Sequence, residues 1–322
     1  MRRLFPVTEE TAAQARADGA ATTGGGPAGT AADGAATAGG GRVGSAADGG
    51  APRAGGPAGA APGKGVPAAG GPAGAAAVAD REWGLAELGA AYAYPDPAPG
   101  APRPWLRANM VSSLDGAAHH EGRSKPLSNA ADMRIFGTLR ALADVVLVGA
   151  ETIRQEGYRP ARVRPEFAGA RSAAGQAPVP AIAIVTASLD LDFTLPLFTS
   201  PLVPTLILTG SAAAPDRVAA AEKAGARVLV AGEGTSVEPV RAVEVLAGLG
   251  HTRLLTEGGP RLLGRLIAAD VLDELCLTVS PTLTAGGAQR IAGGPPVAVP
   301  RRFELVSLLE EDGFLFGRYR RP

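Results

Sequence analysis

Short apolar segments alternate with helical patterns along most of the chain after residue 103, and this alternation restricts the possible folds more than any other feature. The strand-like segments cover residues 106–112, 145–149, 181–186, 205–209, 227–231, 253–256 and 274–280. Helical spacing of apolar residues covers 128–143, 237–249 and 260–269. Continuously apolar strands that alternate with helices are typical of a largely parallel sheet covered on both faces. We therefore predict a three-layer α/β/α fold.

The clearest helix covers residues 128–143, where Ile135, Leu139 and Leu142 share one face and Ser128 is the predicted N-cap. The chain ends differently. Segments 303–309 and 314–319 flank Glu310-Glu311-Asp312-Gly313, which predicts an antiparallel hairpin at the end of the sheet.

Residues 11–80 consist of Ala, Gly, Pro, Thr and Ser with scattered charges, and their only larger apolar residues are Val43, Val66 and Val78. Such a segment cannot bury enough surface to offset the ordering of its backbone, about 1–2 kcal/mol per residue. We therefore divide the chain into a short N-terminal segment (1–10), a disordered insertion (11–80) and one domain (81–322).

The composition excludes several classes of function. Lys plus Arg and Asp plus Glu both number 31, which gives no support to a nucleic-acid or membrane-surface partner. Cys276 is the single cysteine, and His119, His120 and His251 offer no ligand set, so no metal site is expected. No apolar stretch is long enough to span a bilayer, and we expect a cytoplasmic protein.

Glycines and polar residues follow three of the predicted strands, where open α/β sheets bind their ligands. The segments are Ser112–Gly116, Gly149–Thr152 and the turn Thr256-Glu257-Gly258-Gly259-Pro260. A Gly-Gly turn that opens a helix leaves backbone N–H groups free for a phosphate or pyrophosphate. Each segment is equally compatible with a helix cap or an Asx turn. Together they indicate a dinucleotide site, although the chain contains none of the Gly-x-Gly-x-x-Gly, Walker or Gly-x-Ser-x-Gly motifs.

The ordered set of motifs resembles the pyrimidine reductase domain of riboflavin biosynthesis, which has a dihydrofolate-reductase-like fold. The resemblance covers about residues 103–295. Its motifs are Ser113-Leu114-Asp115-Gly116, Gly122-Arg123-Ser124, Leu139-Arg140-Ala141, Val148–Thr152, Glu257–Pro260, Val271–Leu275, Ser280-Pro281 and Gly286-Gly287. The family's zinc deaminase motifs are missing, so the chain is similar to a stand-alone reductase.

This resemblance implies reduction by NADPH of the ribosyl group of 5-amino-6-(5-phosphoribosylamino)uracil, by a homodimer. It implies substrate contacts from Ser124, Arg140 and Glu257, with Arg140 on the phosphate and Glu257 on the pyrimidine N–H groups. Asp115 is the residue we predict to hold or protonate the ribosyl oxygen. The implied cofactor residues are Ser112, Thr152, Glu156, Gly258, Gly259, Pro260, Arg261, Leu262, Leu263, Gly264 and Arg265.

The chain departs from the family pattern mainly on the substrate side. It has Asn109 where the family has a lysine, Pro126 where the family has an aromatic residue, and Glu156-Gly157-Tyr158 where the family has Asp-Asp-Pro. Two alternatives therefore stay open: a reductase of another heterocycle, such as a pterin or dihydrofolate, and a non-catalytic nucleotide-binding protein.

Overall fold

The computed structural model describes residues 1–5, 83–95 and 103–322. The chain divides into one unit formed by Met1–Ala12 and Asp80–Pro322 and a second unit, Ala13–Ala79. The second unit and the whole of the predicted insertion 11–80 lie outside the described residues.

The described residues form ten strands and eight α-helices. The strands are β1 (Arg2–Phe5), β2 (Trp105–Ser112), β3 (Val145–Gly149), β4 (Ala181–Val185), β5 (Leu206–Thr209), β6 (Arg227–Val230), β7 (Arg253–Thr256), β8 (Glu274–Val279), β9 (Glu304–Glu311) and β10 (Phe314–Arg320). The helices are α1 (Leu85–Ala91), α2 (Ala130–Leu142), α3 (Ala150–Glu156), α4 (Pro165–Ala173), α5 (Pro196–Thr199), α6 (Pro215–Lys223), α7 (Pro239–Gly248) and α8 (Pro260–Ala268), with a 3₁₀ turn at Lys125–Leu127.

The ten strands form one sheet in the order β1-β9-β10-β8-β2-β7-β3-β4-β5-β6. The seven strands from β8 to β6 are mutually parallel, and β10, β9 and β1 extend the sheet antiparallel. Separate apolar cores cover the two faces of the sheet. The predicted α/β class, parallel sheet and terminal hairpin are confirmed.

The predicted N-cap of α2 is wrong by one residue. Asn129 is the cap, and its Oδ1 accepts the N–H of Asp132 at 2.9 Å. The Ser128 hydroxyl instead donates to the side chain of Asp132. Because Asn and Ser are comparable N-caps, the sequence at this position does not separate them.

Strand β1 was not predicted, because only its pairing with β9 makes these four residues a strand. The Met1 amine lies 3.1 Å from Glu311 Oε2. At the β9–β10 turn, Asp312 and Gly313 both have positive φ (53° and 78°), as a two-residue type I′ hairpin requires.

A buried ion cluster joins the parallel and antiparallel parts of the sheet. The fully buried Glu274 of β8 lies 2.6 Å from Arg107 Nε of β2, 2.7 Å from Arg318 Nε and 3.0 Å from Arg320 Nε of β10. Burial alone would raise the pKa of Glu274, but the three guanidinium groups hold it at about 2. Arg107 and Arg318 also bind carbonyls at the end of α1, including Arg107 to Tyr92 O at 2.8 Å and Arg318 to Ala93 O at 2.9 Å. None of the helices within the described ranges is long and apolar enough to cross a bilayer.

Candidate active site

A cavity of about 820 Å³ opens at the carboxyl ends of β2, β3 and β7. One face of α2 forms a wall, where Asp132, Phe136 and Arg140 follow one another at intervals of four residues. The segment 156–164, from the end of α3 to the start of α4, also lines the cavity. Ligands of open α/β sheets bind at this edge, so the cavity is the candidate active site.

Two of the predicted glycine turns meet at the cavity. The Gly149 N–H, where β3 ends, donates to Gly258 O at 3.1 Å. A Cβ atom on Gly259 would lie 3.0 Å from Thr152 Oγ1, and Gly258 has a φ of +105° and packs against Met110. Gly259 is the N-cap of α8 and Pro260 its first residue. These residues form a glycine cradle, defined here as Thr152 with Gly258, Gly259 and Pro260, which also carries the partial positive charge of a helix start.

The rest of the predicted cofactor segment lies outside the cavity lining. Leu263 is fully buried in the apolar core, so its side chain cannot contact a cofactor. Gly264 packs against the backbone of Gly293, and Arg265 donates to Val237 O. Arg261 is exposed and Leu262 is half-buried, and their contacts with the cofactor stay predictions. Helical geometry explains the difference, because only the first residues of α8 point to the strand ends.

Glu257 lies at the centre of a polar cluster in the cavity. Its Oε1 accepts Arg140 Nε at 2.6 Å and its Oε2 accepts Arg140 Nη2 at 2.5 Å, while the Tyr158 hydroxyl also donates to Oε2. The carboxylate side chain is only 3% exposed. Phe136 and Tyr158 flank the guanidinium, with ring centroids 4.4 and 5.0 Å away. Burial, and then the neighbouring carboxylate, raise the pKa of Tyr158 well above its usual range. Tyr158 is therefore a permanent hydrogen-bond donor to Glu257.

This cluster corrects the predicted role of Arg140. The fork formed by Nε and Nη2 is occupied by Glu257, so this edge of the guanidinium holds the carboxylate and does not face a phosphate. Arg140 and Glu257 both line the cavity, and their predicted contacts with substrate stay predictions.

Ser124 and Glu156, predicted to bind substrate and cofactor respectively, contact each other. The Ser124 N–H and hydroxyl both donate to Glu156 Oε1 at 3.1 Å. Both residues line the cavity, and Glu156 is exposed. The pair joins the 3₁₀ turn region to the end of α3 at the cavity rim.

Asp115 and Ser112 lie outside the cavity lining. Asp115 is exposed and accepts hydrogen bonds from the Ser113 hydroxyl at 2.5 Å and from the Ala285 N–H at 2.7 Å. These bonds, with one from Thr284, lower the pKa of Asp115 to about 2. Such a group fixes the turn and is ionised at neutral pH, which argues against the predicted proton transfer. The Ser112 hydroxyl donates to Ser113 O at 2.9 Å.

Several cavity residues were not predicted from the sequence. Asp132 is 7% exposed, and Arg171 is 4% exposed and donates to the carbonyls of Ala141 and Ala143. Three further arginines of the cavity, Arg159, Arg162 and Arg164, belong to the segment 156–164. The density of arginine in that segment was the available signal, but nothing local indicates that the chain folds back against α2.

Together the cavity lining carries more positive than negative side chains. The basic residues are Lys125, Arg140, Arg159, Arg162, Arg164 and Arg171, and the acidic residues are Asp132, Glu156 and Glu257. Within the described ranges, no group of three or more His, Cys, Asp or Glu side chains is placed to hold a metal ion.

Two relatives that match this chain are reductases with the same name. A 2,5-diamino-6-ribosylamino-4(3H)-pyrimidinone 5′-phosphate reductase from Archaeoglobus fulgidus is 28% identical over 221 residues, which is 68% of this chain and all of the relative. A reductase of the same name from Methanothermobacter thermautotrophicus is 29% identical, over 57% of this chain and 81% of the relative.

Two solved structures share the fold of this chain. A pyrimidine reductase-like protein from Corynebacterium diphtheriae superposes with a TM-score of 0.61 at 26% identity, covering 67% of this chain and 91% of that one. A bifunctional deaminase/reductase from Thermotoga maritima, at 18% identity and a TM-score of 0.52, shares the fold over 68% of this chain and 57% of its own length. The family model of the RibD C-terminal domain matches residues 104–312, which include the whole candidate site. The chain therefore belongs to the RibD C-terminal domain family.

Proposed function

We propose that this protein reduces a ribosylaminopyrimidine 5′-phosphate of riboflavin biosynthesis, with NADPH as the hydride donor. Family membership and the names of the relatives support this pyrimidine reductase activity. The observation that carries the proposal is a single cavity that combines a glycine cradle, a buried carboxylate and an excess of basic residues.

The cradle fits a nicotinamide dinucleotide. Gly258 has no Cβ and a φ that favours glycine, so a pyrophosphate can approach its backbone closely. Pro260, the first residue of α8, has no N–H to donate, so the helix start contributes its partial positive charge. When bound, the cofactor supplies a hydride, and the protein supplies orientation and a proton. NADPH rather than NADH is inherited from the family resemblance.

Glu257 is suited to recognise the pyrimidine. Arg140 and Tyr158 fix the orientation of its carboxylate. Oε2 already accepts from both residues, whereas Oε1 accepts only from Arg140 and retains acceptor capacity for a ring N–H or amino group. Because the carboxylate is already ion-paired, binding a neutral heterocycle leaves no unpaired buried charge.

The substrate phosphate is assigned to the cations of segment 156–164. The fork of Arg140 is occupied, whereas Arg159 and Arg162 are exposed at the cavity, and Arg164 lies against Gly137 of α2. A planar guanidinium binds a phosphate bidentately. This placement also explains how a chain with Asn109 in place of the family's lysine retains a phosphate site.

The activity is tested by mixing the purified protein with NADPH and following the loss of NADPH absorbance. Two pyrimidines are compared, 5-amino-6-(5-phosphoribosylamino)uracil and 2,5-diamino-6-ribosylamino-4(3H)-pyrimidinone 5′-phosphate, which differ in the group at C2. Turnover of either pyrimidine is the expected result.

Turnover of dihydrofolate alone would establish the pterin alternative. Binding of NADPH without turnover of any of the three compounds would favour the non-catalytic nucleotide-binding protein. Replacement of Arg162 by Gln should raise KM for the phosphorylated pyrimidine and leave KM for NADPH unchanged, whereas a rise in KM for NADPH alone would contradict the phosphate assignment.

The homodimer is also a proposal that depends on the resemblance. Light scattering should give a mass twice the 32.2 kDa of one chain. A mass of one chain at micromolar concentration would contradict it, and the cytoplasmic location stays a prediction.

A further inference from the structure

We infer that Asp132 is the proton source of the reduction and that the Ser128 hydroxyl relays its proton into the cavity. This inference depends on the proposed function, because it supplies the proton which that reaction consumes. It begins from a carboxyl group that lines the cavity and has no role in the site described above.

Asp132 is buried without a cationic partner. Thr278 Oγ1 donates to its Oδ1 at 2.7 Å, and the Ser128 hydroxyl lies against its Oδ2. Among the ion pairs of the described residues, none includes Asp132. Burial destabilises the charged form of an isolated carboxyl group, so it favours the protonated form.

Of the charged and titratable groups around Asp132, those on α2 and β8 have other partners. On α2, Arg134 binds Glu311 at 2.7 Å and Arg140 binds Glu257. On β8, the buried thiol of Cys276 lies 3.6 Å from Glu274 Oε1. On the preceding loop, Lys125 is exposed and His119 is half-buried at the cavity. Burial therefore raises the pKa of Asp132 more than the bonds from Ser128 and Thr278 lower it.

The other carboxyl groups near the site are unsuitable as acids. Glu257 forms a bidentate ion pair, and Glu156 is exposed and accepts two bonds from Ser124. Asp115 lies outside the cavity lining, and its pKa of about 2 means that it holds no proton at neutral pH. The structure thus moves the expected acid from Asp115 to Asp132.

The chemical step requires one proton. A hydride reaches C1′ of the substrate, the bond from C1′ to the ring oxygen breaks, and the electron pair remains on that oxygen. When Asp132 is neutral, its O–H donates to Ser128 Oγ, and the Ser128 O–H donates to the ring oxygen. The oxygen becomes the hydroxyl of the ribityl chain, and Asp132 becomes a carboxylate that is reprotonated from solvent through the cavity.

The first test is Asp132→Asn, which keeps the shape of the side chain and removes the proton. The wild-type kcat should fall as the pH rises through the pKa of Asp132, since the protonated form is active. In the variant, kcat should fall by about 10²–10⁴-fold and this limb of the pH profile should disappear, while KM changes little. Asp192→Asn is the matched control, because Asp192 also bonds a threonine hydroxyl but lies on an exposed loop, and its profile should match the wild type.

Two further variants test the hydrogen bonds that the side chain of Asp132 makes. Thr278→Val removes a hydrogen bond that favours the ionised form, so the same limb should move to higher pH. Ser128→Ala removes the relay hydroxyl and a second bond of this kind, so it should lower kcat at every pH and also move the limb to higher pH. A helix-capping role alone would change the melting temperature of these variants and leave the pH limb in place.

A third measurement does not depend on turnover. The infrared difference between the wild type and Asp132→Asn, recorded at a pH just above the ordinary pKa of an aspartic acid (about 3.9), should contain the carbonyl band of a protonated carboxylic acid. Absence of that band overturns the inference, as does a kcat in Asp132→Asn within twofold of the wild type. Failure of the wild type to oxidise NADPH with either pyrimidine would instead count against the proposed function, and the infrared band still reports on Asp132.

Discussion

Gly264 of α8 shows how closely the cofactor-side helix packs against the rest of the domain. A Cβ atom at this position would lie 1.7 Å from Gly293 O and 2.7 Å from Gly293 C. Gly293 is itself tied to the helix, because its N–H donates to Pro260 O at 2.9 Å. The preferred separation of non-bonded heavy atoms is about 3.5 Å, so Gly264→Ala requires the helix or the 293 backbone to move by about 1.5 Å or more.

The expected effect of Gly264→Ala is a loss of stability. Overpacking against backbone costs about 1–3 kcal/mol, and the better helix propensity of alanine returns about 0.8–1 kcal/mol. The overpacking cost at Gly264 should exceed the lower end of the range of about 1–3 kcal/mol, because the contact is with backbone atoms. We expect a net loss of about 1–2 kcal/mol, or about 2–8 °C in Tm for a domain of this size.

Gly169→Ala is the matched control. Gly169 lies in the middle of α4, and nothing lies within 4 Å of its added Cβ. This variant should gain about 0.5–1 kcal/mol. Urea and thermal unfolding of both variants, monitored by circular dichroism, give the comparison. A Gly264→Ala protein that melts at or above the wild-type temperature would refute the packing argument. Because Pro260 begins the same helix, KM for NADPH should also rise in this variant and stay unchanged in the control.

Three further predictions concern the cradle, the ion cluster and the insertion. Gly258→Val should weaken NADPH binding in a fluorescence titration and also lower Tm, because the φ of +105° strains a β-branched residue and Met110 lies 3.5 Å away; unchanged affinity would contradict the cradle. The pKa of Glu274 is about 2, below its ordinary 4.5, so its ion pairs stabilise the fold fully above about pH 4.5. The free energy of unfolding should therefore fall by a few kcal/mol between pH 4.5 and 2, and a flat profile in that window would argue against the cluster. Deletion of residues 11–80 should leave kcat and Tm nearly unchanged, and a large loss of either would show that this segment contributes to the folded enzyme.

The sequence by itself determined the α/β class, the run of parallel strands and the terminal hairpin. These features follow from local signals: continuous apolar segments of strand length, helical periodicity and an Asp-Gly turn. The glycine turn of the cradle was equally local, because Gly258 and Gly259 adjoin the helix that they open. Glu257 and Arg140 were identified together through the ordered motifs.

Only the tertiary structure decided how these residues are used. Arg140 and Glu257 are 117 residues apart, and their bidentate contact depends on the packing of α2 over β7. Tyr158 donates to the same carboxylate because the segment after α3 folds back over the cavity. The local sequence indicates only that Asp132 is a polar residue of the first helical turn. In the structure, Thr278 of β8 donates a hydrogen bond to Asp132, and Asp132 is buried. Burial and cross-strand partners set the protonation and orientation of these side chains, and both come from elements distant in the chain.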